Sequence, residues 1–150
     1  MQTLDEQKQA IRKDASRVAD FIMFTQRSFL LNLSKELNKG NVSFPQFFLL
    51  GYLANEDFLT MTDISKKMGH STAAATGLVD RLEKLGYVQR LHAQEDRRKV
   101  MVQITRKGID LVERIREEIV GSLVDLLEEL DKDEQDVLLK TYGKISTRVN

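Results

Sequence analysis

One stretch of this chain abandons the helical period, and it decides the fold class. Over YVQRLH (87–92) and KVMVQIT (99–105) apolar residues alternate with period two, and β-branched and aromatic types are enriched. That pattern reads as two strands. In the second, Val100, Val102 and Ile104 share one face, and Lys99, Met101 and Gln103 the other. The intervening AQEDRR is polar and forms the hairpin tip. Everywhere else the apolar spacing is near 3.6, so the chain is mainly α with one small β-hairpin.

The helices have readable ends. A long one is expected from about Leu4 to Leu37, with Thr3 and Glu6 as a capping box and NKGN (38–41) as its stop. Straight, it would span about 50 Å at 1.5 Å per residue. SFPQFFLLGYL (43–53) starts a second helix, with Ser43 as N-cap and Pro45 in the first turn. It is apolar enough to be mostly buried. NED (55–57) is a turn. Thr60 and Asp63 cap a short helix that ends at Gly69, with Ile64 and Met68 facing inward. The next helix opens at Ser71 or Thr72 and closes at Gly86. Ala75, Leu78, Leu82 and Leu85 form its buried stripe, opposite Thr72, Ala73, Thr76, Gly77, Asp80, Arg81 and Lys84. After the hairpin come a long helix over about 106–130 and, beyond DKDE (131–134), a final one.

Composition excludes several functions. The 150 residues contain no cysteine, which removes disulfides, thiol nucleophiles and thiol-based oxidation sensing. There are only two histidines. His70 begins a helix and His92 ends a strand, with no further ligand pattern around either, so no metal site and no cofactor are expected. No nucleophile–base pair and no phosphate loop is present, and an enzyme is not expected. No apolar run is long enough for a membrane span, and the charged N-terminus lacks a signal-peptide core. A cytoplasmic protein is the default.

The formal net charge is zero, but it is unevenly distributed. Residues 61–108 are about +5, residues 109–150 about −5, and residues 1–60 about neutral. A basic middle between non-basic ends points to a local anionic partner. Two short helices joined by a tight turn and followed by a hairpin make a winged helix-turn-helix. A helix fits the DNA major groove, with its N-terminal residues reaching base edges. Ser71, Thr72 and Thr76 can donate to bases or phosphates there. Arg81 and Lys84 would meet phosphate or bind within the protein. Arginines at the hairpin tip suit the narrow minor groove.

The run DISKKMGHSTAAATGLVDRLEKLGYVQRLHAQEDRRKVMVQITRKG resembles the winged-helix core of MarR-type transcription regulators. The resemblance is carried by VDRLEKLGYVQR, the wing EDRRKVMVQIT and TRKG. It implies a helical dimerisation domain from residues 1–40 and 106–150, and a winged helix-turn-helix DNA-binding domain from 41–105. It further implies a homodimer on a pseudo-palindromic operator in double-stranded DNA. In the family's Asp-x-Arg wing motif the acid braces and the arginine enters the minor groove, which maps onto Asp96 and Arg98. Arg97, the intervening residue, is expected to reach phosphate, and Lys99 is counted with the DNA-binding residues.

The recognition helix maps onto about 71–85. Ala73 and Ala74 offer only methyl contacts there, and Gly77 stands where the family often has a larger polar residue. Such proteins are often repressors released by a small aromatic or phenolic ligand. Arg17, Phe21, Phe24, Phe47, Phe48 and Tyr52 are the candidate lining, although aromatic stripes usually pack as plain core. The alternative is a winged-helix protein-interaction or nonspecific DNA-binding module without ligand control.

Overall fold

The computed structural model describes residues 4–149, apart from the side chains of Ile22, Phe24, Thr25, Gln26, Ser28, Arg148 and Val149. Helix α1 (Leu4–Gly40) is followed by α2 (Phe44–Ala54), strand β1 (Leu59–Thr60), α3 (Met61–Met68) and α4 (Thr72–Lys84). Strands β2 (Val88–His92) and β3 (Val100–Ile104) then lead into α5 (Arg106–Glu128) and α6 (Lys132–Val149). Two compact units emerge, Met1–Ile115 and Arg116–Asn150, with their boundary inside α5. Among the described residues no helix is long and apolar enough to cross a membrane.

Capping explains the starts of the short helices. Ser43 and Gln46 form a reciprocal capping box for α2, with Pro45 in the first turn. Thr60 and Asp63 do the same for α3, whose C-cap Gly69 takes the left-handed conformation at φ 62°. Hydrogen bonds from the Thr60 side chain and backbone hold the Asp63 carboxyl below its usual range. Ser71 caps α4 by accepting from the Ala74 N–H. The expected cap Thr3 lies outside the described residues.

Long-range packing changed four expectations. First, α1 runs on through Gly40, and Asn41 supplies the left-handed exit at φ 56°. Gly40 instead allows a close approach. A Cβ there would stand 2.9 Å from Leu111 Cδ1, and the Gly40 carbonyl accepts the buried Tyr87 hydroxyl at 2.8 Å. Second, the sheet has three strands in the order β1-β3-β2, because Leu59 and Thr60 pair with Val102 and Met101. Two residues are too few to display an alternation. Third, Val79 joins Ala75 and Leu82 in the buried stripe of α4, while Leu78 and Leu85 are only half-buried at its margin. Fourth, α2 is buried along Leu49, Leu50 and Leu53 but leaves Phe48 and Tyr52 exposed.

The core of the first unit joins those leucines to Ile64, Val79, Leu82, Val88, Val102, Leu111 and Ile115. Each such side chain contributes roughly 1.5–3 kcal/mol through burial. Glu36 is a buried carboxylate on α1, and it is neutralised by Lys39 and by Arg114 of α5, the latter at 3.5 Å. In the second unit Asp131 and Glu134 cap α6 reciprocally. Gln135 Nε2 donates to the Leu127 and Leu130 carbonyls, which closes the α5–α6 turn.

Candidate nucleic-acid interface

The candidate interface comprises α4 and the wing. Burial of Ala75, Val79 and Leu82 turns Ala73, Gly77, Asp80 and Lys84 to the opposite side of α4. Ser71 and Thr72 sit exposed at its N-terminal end, where free backbone N–H groups and the helix dipole favour anions. Thr76 is half-buried, and its hydroxyl donates back to the Thr72 carbonyl at 2.8 Å. Arg81 is engaged within the chain: its Nη2 donates to Asn41 Oδ1 at 3.2 Å.

Gly77 has open space where a Cβ would go. The fold therefore gains nothing from a glycine at this mid-helix position. Gly77→Ala is expected to raise stability by about 0.5–1 kcal/mol, read from urea unfolding.

The wing tip is closed by its own backbone. Asp96 Oδ1 accepts the Arg98 N–H at 3.0 Å, and the Asp96 carbonyl accepts the Lys99 N–H at 2.9 Å. The Ala93 N–H donates to the Lys99 carbonyl at 3.2 Å, and His92 Nδ1 lies 3.0 Å from the Arg97 carbonyl. The Arg97, Arg98 and Lys99 side chains are exposed, and none is salt-bridged to a carboxylate among the described residues. Three such cations on a braced tip can meet an anionic surface without first breaking an internal ion pair.

Two groups of residues were missed from sequence. Arg90 of β2 bridges two acids of α4: Nη2 is 2.5 Å from Asp80 Oδ1 and Nη1 is 2.5 Å from Glu83 Oε2. Glu83 Oε1 also accepts the Arg90 N–H at 3.2 Å. Partial burial works against its charge, but the hydrogen bonds and charges of the two acids outweigh this and raise its pKa above the ordinary arginine value. Lys107, in the first turn of α5, donates to the Leu85 carbonyl at 2.6 Å and lies 4.8 Å from the Tyr87 ring centre. It caps the C-terminal end of α4 from outside. The 80/83 spacing was a visible signal for two acids on neighbouring turns, but nothing local named their partner.

The suggested ligand residues are only partly gathered. Phe47 and Phe48 are neighbours with ring centres 6.2 Å apart. Lys67 Nζ lies 5.5 Å from the Tyr52 ring centre. Phe21 is 68% exposed, and Arg17 is exposed beside Asp14 at 3.9 Å. The Phe24 side chain lies outside the described residues. Plain core packing within this chain therefore does not account for Phe21, Phe48 or Tyr52.

Known proteins share this architecture. The sequence profile of the MarR family matches residues 41–99. YfiV of Bacillus subtilis (strain 168), an uncharacterized HTH-type transcriptional regulator, is 40% identical over 111 residues, covering 74% of this chain and 69% of its own. Among solved structures, a MarR family protein from Bacillus stearothermophilus aligns with a TM-score of 0.78 and 23% identity over 92% of this chain and 96% of its own. The S. aureus MepR–DNA complex aligns at 0.74 and 21%, over 88% and 99%. These two share the fold. Together with the YfiV relationship, the winged core and its braced basic tip lead to one conclusion: the chain belongs to the MarR family and is a transcription regulator, not an enzyme.

Proposed function

We propose that this regulator is a cytoplasmic homodimeric repressor that occupies a pseudo-palindromic operator. Residues 41–105 read the DNA, and residues 1–40 and 106–150 join the two protomers. The observation that carries the reading is the wing, where a tip braced by Asp96 leaves Arg97, Arg98 and Lys99 without ion pairs among the described residues. In this reading Arg98 enters the minor groove, and Arg97 and Lys99 meet phosphate. Ser71, Thr72, Ala73 and Thr76 face the major groove, and Gly77 permits close backbone approach. Arg81 reaches phosphate only by releasing Asn41. A solved DNA complex of the MepR neighbour supports the choice of ligand.

Dimerisation is supported by apolar surface that the chain leaves uncovered. Leu4, Ile11, Val18 and Leu31 are exposed on α1, and Val137, Leu139, Tyr142 and Ile145 on α6. Such stretches exceed the scattered apolar residues of ordinary monomer surfaces. Release by a small aromatic anion is the second part of the reading. Exposed Phe48 and Tyr52, with the Lys67 ammonium over the Tyr52 ring, support it. A thermal-shift screen of aromatic acids tests that part, and no response across the panel would favour a ligand-independent regulator.

The main test is a fluorescence titration with a duplex selected from a random pool and a scrambled version, at about 50 and 200 mM salt. The selected duplex should bind at least about a thousandfold tighter, and both affinities should fall steeply with salt. Equal affinity for the two sequences would sink the operator reading and leave nonspecific binding.

A further inference from the structure

The DNA-facing helix carries an electrostatic handicap that a neighbouring strand reduces. Within α4, Asp80 and Glu83 cancel Arg81 and Lys84, so the helix has no formal charge of its own. Asp80 is 61% exposed and lies on the side turned away from the core, with Ala73 and Gly77. Glu83 flanks it, 40% exposed. Two carboxylates at this position would oppose approaching phosphates, whose spacing along DNA makes like-charge repulsion costly. Arg90 answers both with one guanidinium. Its side chain, 23% exposed, reaches across from β2, and each nitrogen prong stands 2.5 Å from a different acid. Its two terminal nitrogens each meet one carboxylate, which holds a single positive charge between the two acids.

We propose that Arg90 is a positioning residue for DNA binding whose main effect is to offset the negative charge of Asp80 and Glu83 beside the groove-facing side of α4. The inference rests on the DNA-binding reading and adds a residue that touches no nucleotide. Charge offset and mechanical bracing of the wing differ in one respect: only the charge offset can be replaced by removing the acids.

The experiment uses the full chain and a fluorescein-labelled duplex of mixed sequence, two to three helical turns long, at about 50 mM salt, where charge effects are largest. Arg90→Met retains much of the apolar stem and removes the charge. It is expected to weaken binding on the order of thirtyfold. Adding Asp80→Asn and Glu83→Gln to Arg90→Met is expected to recover most of that loss. Arg90→Lys, which keeps the charge without the fork, should stay close to wild type and supplies the test should Arg90→Met fail to fold. Circular dichroism establishes that each variant compared is folded.

A folded triple variant as weak as Arg90→Met would overturn the proposal in favour of bracing. So would Arg90→Met binding as wild type does, or folded Arg90→Lys losing affinity on the order of thirtyfold. Failure of the wild type to bind any duplex would overturn the DNA reading and this inference together. Wild-type binding with an unaffected Arg90→Met would overturn this inference alone.

Discussion

Gly108→Ala is expected to destabilise the fold by about 3 kcal/mol. Gly108 is the third residue of α5 and is buried. A Cβ there would overlap the Tyr87 carbonyl oxygen and stand 2.6 Å from Ile104 Cγ1. Neither neighbour can retreat freely. The Tyr87 carbonyl already accepts the Thr105 N–H at 2.9 Å, and Ile104 is held in β3 opposite Val88. Thr105 also ties the joint: its hydroxyl donates to the Gly86 carbonyl at 2.6 Å and accepts the Gly108 N–H at 3.2 Å.

Relief of the clash must therefore move the start of α5 away from the strand that follows α4. Urea unfolding should report the loss, and thermal unfolding a fall of about 6–12 °C. Gly121→Ala is the control. It lies in the same helix with open space at its Cβ position, so alanine should stabilise by about 0.5–1 kcal/mol. Shifts of the same sign at both positions would refute the close-approach account.

Arg98→Ala should leave stability nearly unchanged and weaken operator binding about ten- to a hundredfold. Arg98 is an exposed wing side chain with no ion pair among the described residues, so the fold loses little. A groove contact is a different matter, since an arginine reading DNA contributes roughly 1–3 kcal/mol. The salt dependence should fall by about one charge. Asp96→Ala removes the acceptor of the Arg98 N–H together with one negative charge, and the loss of order at the tip is expected to outweigh the gain in charge. It therefore weakens binding while leaving Arg98 present. Arg97→Ala should weaken selected and scrambled duplexes alike, as a phosphate contact does. An Arg98→Ala variant that binds the selected duplex as tightly as wild type would show that the wing does not enter the groove.

Much of the fold was legible because its signals are local. The Thr60–Asp63 box, Ser43 with Pro45, Ser71 and the left-handed Gly69 each lie within one helical turn of the end they define. The hairpin was visible because alternation survives over five residues. The wing motif was legible for the same reason: Asp96 and Arg98 are two residues apart, and the hydrogen bond between them is a local turn contact. The aromatic cluster was harder, since composition marks Phe48 and Tyr52 as apolar without saying which side of α2 finds a partner.

By itself, then, the sequence determined the starts of the short capped helices, the strand period, the basic segment and the family. Only tertiary structure decided that Val79 and not Leu78 faces the core, that Leu59 and Thr60 complete a sheet, and that Gly108 lies against the Tyr87 backbone. It also decided that Arg90 turns to Asp80 and Glu83, and that Tyr87 reaches Gly40. Capping and periodicity are set by neighbours within a turn. These other contacts join residues 7 to 47 positions apart, and their partners are chosen only once packing has brought the elements together.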